Sequence, residues 1–135
     1  MRRLLLPFGP IDTHFNSCAS IILLIVGTLN PEKLADFETY ARVWMHLIEK
    51  FGGTHYGYFV AGEAPPAAPF SFPGLGGEGP ADIAIALFSF PNVEVYEAYR
   101  EGVKNDPECL AMTRLRAETN CFVKYERTFM RAVGR

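Results

Sequence analysis

Three cysteines, three histidines and a group of tyrosines with one tryptophan are the side chains through which this 135-residue chain could do chemistry. Cys18, Cys109 and Cys121 form no CxxC pair, so neither a zinc knuckle nor a redox dithiol is written locally. An odd number of thiols at long spacing reads as reduced cysteines of a cytoplasmic protein, each packed as a small apolar residue. His14, His46 and His55 show no HxxxH repeat. A metal site would need ligands gathered from separate segments, and no metal or cofactor is expected. The run Gly74-Leu75-Gly76-Gly77-Glu78-Gly79 matches GxGxxG in letters only, because a dinucleotide fingerprint follows a strand and opens a helix, and here prolines precede it and a strand follows. Carboxylates are weaker candidates still. A general base needs burial or a like charge to raise its pKa, and the settings of Asp36, Glu38, Glu49, Glu63 and Glu126 offer neither.

The aromatic group is more informative. Trp44, Tyr56, Tyr58, Tyr96 and Tyr99 fall on elements that can meet between helices and a sheet. Tyrosine and tryptophan pair an apolar body with a polar tip that wants a partner when buried. A cleft walled by such residues is what a site for a small apolar or aromatic molecule looks like. The candidate ligand-binding residues are therefore Trp44, His55, Tyr56, Tyr58 and Tyr99. The competing reading is a packed core whose tyrosine tips reach the surface.

The elements that position these residues follow from periodicity. Residues 20–29 form a first strand, with Ile21, Leu23 and Ile25 on one side and Ile22, Leu24 and Val26 on the other. Asn30 offers an N-cap and Pro31 a first helical position. The helix then runs to residue 51 with Leu34, Phe37, Ala41, Trp44, Ile48 and Phe51 as its apolar stripe, leaving His46 toward solvent. Gly52 and Gly53 stop it. Residues 54–61 form a second strand in which His55 shares parity with Gly57 and Phe59. A proline- and glycine-rich loop over 62–81 follows, then a third strand over 82–90. Asn92 caps a short helix carrying Tyr96, Tyr99 and Val103, and Asp106-Pro107 starts another helical segment. Residues 121–131 form the last strand, with Val123, Tyr125, Arg127 and Phe129 on one face.

The order βαββαβ defines an α+β, ferredoxin-like domain: a four-stranded antiparallel sheet, helices on one face, strands one and three central. One domain over residues 20–131, preceded by an N-terminal arm over 1–19, suits the length. Composition agrees, with 49% hydrophobic and 21% charged residues, which excludes a disordered chain. Thirteen basic against fifteen acidic residues leave a net charge of −2, giving no pull toward nucleic acid or an anionic membrane. Arg2 and Arg3 before Leu4, Leu5 and Leu6 resemble a signal peptide only until Pro7 cuts the apolar run.

The two central strands do not alternate. A sheet with helices on one side has a wet far face and should read apolar-polar, yet these runs are apolar on both. Two such strands left bare would exceed the apolar patch that monomers carry. A homodimer packed sheet face to sheet face, or a higher oligomer built on it, is expected.

Several stretches together resemble the NIPSNAP family: Phe88-Ser89-Phe90-Pro91, Tyr96-Glu97-Ala98-Tyr99-Arg100, Asp106-Pro107-Glu108 and Glu126-Arg127-Thr128-Phe129, with Gly52-Gly53 ahead of Gly57-Tyr58-Phe59. The resemblance spans residues 20–131 and implies a dimeric α/β barrel. It carries no catalytic residues over, and the arm and the 62–81 loop depart from its short bacterial pattern. Three functions are open at this stage: a binder of a small apolar or aromatic molecule, a cofactor-free monooxygenase or isomerase using the same cleft, or an interaction module without a ligand site. The loop, with Phe70, Phe72 and Leu75, is expected to fold over the open end of the cleft or onto a partner subunit.

Overall fold

The structure is a computed structural model and describes residues 19–134. The expected arm, with His14 and Cys18, lies outside these residues apart from Ala19. The elements are β1 (Ile21–Leu29), α1 (Leu34–Lys50), β2 (Thr54–Val60), β3 (Ile83–Phe90), α2 (Val93–Val103), α3 (Pro107–Thr119) and β4 (Phe122–Met130). A single 3-10 turn, Pro31–Lys33, leads into α1. The sheet order is β2-β3-β1-β4 with every neighbouring pair antiparallel. This is the expected ferredoxin-like α+β arrangement, with the two apolar strands in the middle.

Local chemistry explains the element ends. The Asn30 side chain accepts from the Glu32 N–H at 3.2 Å, and the Asn92 side chain accepts from the Val95 N–H at 2.9 Å. At the end of α1, Gly52 adopts φ +96°. A β-carbon on Gly53 would sit 2.7 Å from the Phe90 ring and 2.8 Å from Ile48, so only glycine lets the turn pass this close to the core. Asp106 ties two helices together. Its carboxylate accepts from the Glu108 N–H at 2.8 Å to cap α3 and meets Lys50 Nζ, on the last residue of α1, at 2.5 Å. The Lys50 hydrogen bond holds the Asp106 carboxyl below its usual range, so this buried acid stays charged and paired.

The core lies between the helices and one face of the sheet. Leu23, Phe88 and Phe90 pack with Ile48 and Tyr96, and Leu29 and Ala84 pack with Phe37, Ala41 and Cys121. Leu47, outside the expected stripe, is fully buried, whereas Leu34, counted in it, is 40% exposed. Leu34 is the first residue of α1, directly after the 3-10 segment.

Register reveals two irregularities that simple parity missed. In β2 the pairing skips from His55 opposite Phe88 to Gly57 opposite Leu87. This bulge, with Gly57 at φ +119°, puts His55 and Tyr58 on the helix side and Tyr56 and Phe59 on the other. In β4 the pairing skips between Phe122 and Lys124. Phe122 thereby joins Tyr125, Arg127 and Phe129 on the helix side, where strict alternation had placed it opposite them.

The outer sheet face is apolar at its centre. Cross-strand rows run Phe59–Ile85–Val26–Glu126, Gly57–Leu87–Leu24–Thr128 and Thr54–Ser89–Ile22–Met130. The central residues are half-buried by one another, and Phe59 is 58% exposed. No helix of the described residues covers this face, and none is long and apolar enough to cross a membrane.

Candidate functional site

A cavity of about 380 Å³ lies between the inner sheet face and helices α1 and α2. Its origin is a reversal of side-chain size. On the inner face β3 presents Ala84 and Ala86, and β1 presents Gly27 directly opposite Ala84. The bulky neighbours Val26, Ile85 and Leu87 point the other way. Small residues where a packed core would place large ones leave a hollow floor.

Aromatic side chains wall it. From α1 come Phe37, Tyr40 and Trp44, and Tyr40 and Trp44 stand 6.3 Å apart between ring centroids. Tyr58 of β2 meets Phe37 edge-on at 5.8 Å. Tyr99 of α2 leans on Phe90 at 4.8 Å, and Phe122 of β4 meets Tyr40 at 5.0 Å. This mixture of edge-to-face and tilted packing holds the walls without filling the centre.

The phenols converge. Burial, reinforced by the neighbouring Tyr125, pushes the Tyr40 hydroxyl above the ordinary tyrosine range. Burial does the same at Tyr58, reinforced by Tyr40 and Tyr99, and at Tyr99, reinforced by Tyr96. These groups are neutral hydrogen-bonding tips at physiological pH and not proton acceptors poised near neutrality.

Of the five residues singled out in the sequence, Trp44, Tyr58 and Tyr99 line the cavity. Tyr56 does not. The β2 bulge turns it onto the outer face, 56% exposed, with its hydroxyl 3.3 Å from Ser89 Oγ. His55 sits behind the wall, stacked on Tyr58 at 5.0 Å and on Phe88 at 5.4 Å. Sequence reading missed Tyr40, although it stands three residues after Phe37 and four before Trp44 on the same helical stripe. The 62–81 loop lines no part of the cavity. Residues 61–82 carry no helix or strand, only turns at 73–75 and at 81–82 leading into β3, and Phe72 and Leu75 are 70% and 87% exposed. Among the described residues no group of three or more His, Cys, Asp or Glu could hold a metal ion. His46 and Glu49, three apart on α1, are both exposed, and His46 lies 3.5 Å from Glu108 instead.

His55 has a structural task. Its Nδ1 accepts the Gly57 N–H at 2.9 Å, which closes the bulge and places the proton on Nε2. That buried Nε2 has no partner among the described residues. Desolvation lowers its pKa from 6.5 to about 4, against a small opposing pull from Glu49. Between those values the unfolded chain binds the proton and the folded chain does not. Stability is therefore full above pH 6.5 and falls as the pH drops toward 4. Discounted for partial exposure, the loss is about 1–2 kcal/mol. Urea unfolding at pH 7 and pH 4.5 should show His55→Asn, which keeps the acceptor but cannot titrate, losing that much less than the wild type on acidification. Equal losses would refute the assignment.

No family model and no curated protein matches the sequence. Solved structures do. A NIPSNAP-like domain protein from Burkholderia xenovorans superposes with a TM-score of 0.62 at 15% identity, over 86% of this chain and 87% of its own. A NIPSNAP family protein of unknown function from Agrobacterium tumefaciens gives 0.60 at 12% identity, over 84% and 87%. A putative antibiotic biosynthesis monooxygenase from Bacteroides thetaiotaomicron gives 0.50 at 13% identity, over 85% and 90%. The chain has the fold of these NIPSNAP structures, in line with the resemblance of its motifs. At such identities the likeness is one of fold, which hosts many functions.

Proposed function

We propose that this protein is a NIPSNAP-type domain that binds a small apolar or aromatic molecule in the cavity between its helices and its sheet. The observation that carries this reading is the floor of Gly27, Ala84 and Ala86 beneath walls of aromatic rings. A volume of about 380 Å³ falls in the range of small-molecule pockets, about 300–1,000 Å³. The void is apolar over most of its surface, so an apolar guest regains the dispersion contacts that the empty floor lacks. The phenol tips of Tyr40, Tyr58 and Tyr99 orient it by hydrogen bonds.

The rival reading, a cofactor-free monooxygenase or isomerase, has the convergent phenols in its favour. Against it, among the described residues no carboxylate or imidazole lines the cavity, and the phenols are shifted away from neutrality. A pure interaction module would have no reason to keep its core hollow.

The sheet face belongs to the same reading. A second copy of the chain covers the Phe59–Ile85–Val26 and Leu87–Leu24 rows, forming a barrel shared by two subunits in the cytoplasm. Binding is tested by titrating 2-naphthol into the purified protein and following Tm. The expected result is a saturable rise of several degrees, by mass action on the folded state. An unchanged Tm at millimolar ligand contradicts the proposal.

A further inference from the structure

The lining of the cavity is one-sided in charge. The chain carries more acidic than basic residues, yet among the described residues no acidic side chain lines the cavity while Arg100, Lys104 and Arg127 all do. All three are exposed, so they ring the mouth above an apolar interior. Lys104 is compensated by Glu101 at 3.0 Å. The two arginines have no ion pair among the described residues. They come from neighbouring elements, α2 and β4, which meet where Tyr96 packs edge-on against Phe129. Arg100 extends from α2, beside Tyr99 and one turn after Tyr96. Arg127 projects from the inner face of β4, paired with Ile25 of the floor strand. Its guanidinium lies 4.9 Å from the Phe129 ring, and that ring packs edge-on against Tyr96 at 5.8 Å. The aromatic shelf restrains Arg127 before any ligand arrives, which lowers the entropy lost on binding.

Resting on the reading of the cavity as a binding site, we propose that its ligand is an aryl or alkyl carboxylate: the apolar body lies on Gly27, Ala84 and Ala86, and the acid group sits at the mouth between Arg100 and Arg127. Each planar guanidinium fork matches a carboxylate edge. Among the described residues no helix N-terminus, a common cradle for phosphate, opens into the cavity, which favours a carboxylate over a phosphate.

The test uses two probes of one shape, 2-naphthoate and the neutral 2-naphthylmethanol, titrated calorimetrically at low ionic strength into the wild type and into an Arg100→Gln, Arg127→Gln double variant. Both substitutions are on exposed side chains, and circular dichroism checks the fold. The expected result is a naphthoate affinity at least tenfold above that of the alcohol in the wild type. The double variant should lose this preference while its affinity for the alcohol stays within twofold. The Lys versions of both sites should retain part of the preference. Equal affinities of the two probes in the wild type would overturn the carboxylate assignment and leave the apolar cavity standing, as would a preference that survives in the double Gln variant. Binding of neither probe would overturn both.

Discussion

Replacing Gly27 with leucine should weaken the binding of a naphthalene-sized molecule at least tenfold while leaving the fold intact. Gly27 is buried on the inner face of β1, and its backbone has no conformation that demands glycine. A β-carbon there meets nothing nearer than the Lys124 carbonyl oxygen at 3.7 Å, an ordinary contact. The rest of a leucine side chain extends over the cavity floor, into the space that a ligand would occupy. Stability should rise by about 1 kcal/mol, because an apolar void is filled and a mid-strand glycine is removed. Gly27→Ala, which reaches only the edge of the void, should bind nearly as well as the wild type. The titration that measures this is calorimetric, and unimpaired binding by Gly27→Leu would place the ligand elsewhere.

The second large effect concerns assembly. Sedimentation velocity at micromolar concentration should show the wild type as a dimer and a Leu24→Asp, Leu87→Asp double variant as a folded monomer, with the dissociation constant raised at least a hundredfold. Leu24 and Leu87 are direct cross-strand partners at the centre of the outer face. Four strands of seven to nine residues make that face roughly 20 by 25–30 Å. Two buried aspartates facing the partner's own pair would each need costly desolvation, and they would repel across the two-fold axis. The helix-side core is untouched, because these side chains point away from it. A wild type that sediments as a monomer over this concentration range would remove the shared barrel from the account.

How much of this was legible beforehand differs by element. The strands and caps were, because Asn30, Asn92 and Asp106 each place a side-chain acceptor where a helix start leaves N–H groups unpaired. The central position of β1 and β3 was also legible, since only central strands tolerate apolar residues on both faces. The two bulges were not. A period-two reading carries parity through Tyr56 and Val123, and nothing in those residue types announces an extra residue in the strand. One such slip sent Tyr56 into the expected site, and the other hid Phe122 from it. The cavity itself was half legible. Aromatic walls were read from helical spacing, but the decisive feature is the inward placement of Gly27, Ala84 and Ala86 beside outward Val26, Ile85 and Leu87. Comparing residue volumes between the two parities of the central strands, in addition to hydrophobicity, would have shown it. The 62–81 loop was read correctly as irregular; of its two expected placements, over the open end of the cleft or onto a partner subunit, the first is not found, because no residue of the loop lines the cavity.

Whether a small apolar molecule lies on that floor is decided by where it touches the protein. The most direct measurement is a two-dimensional NMR titration with 2-naphthol that records intermolecular NOEs to methyl groups. The expected result is NOEs to the methyls of Ala84 and Ala86 and a shift of the Gly27 amide. NOEs confined to Ile85 and Leu87 on the outer face, or none at any methyl, would contradict it.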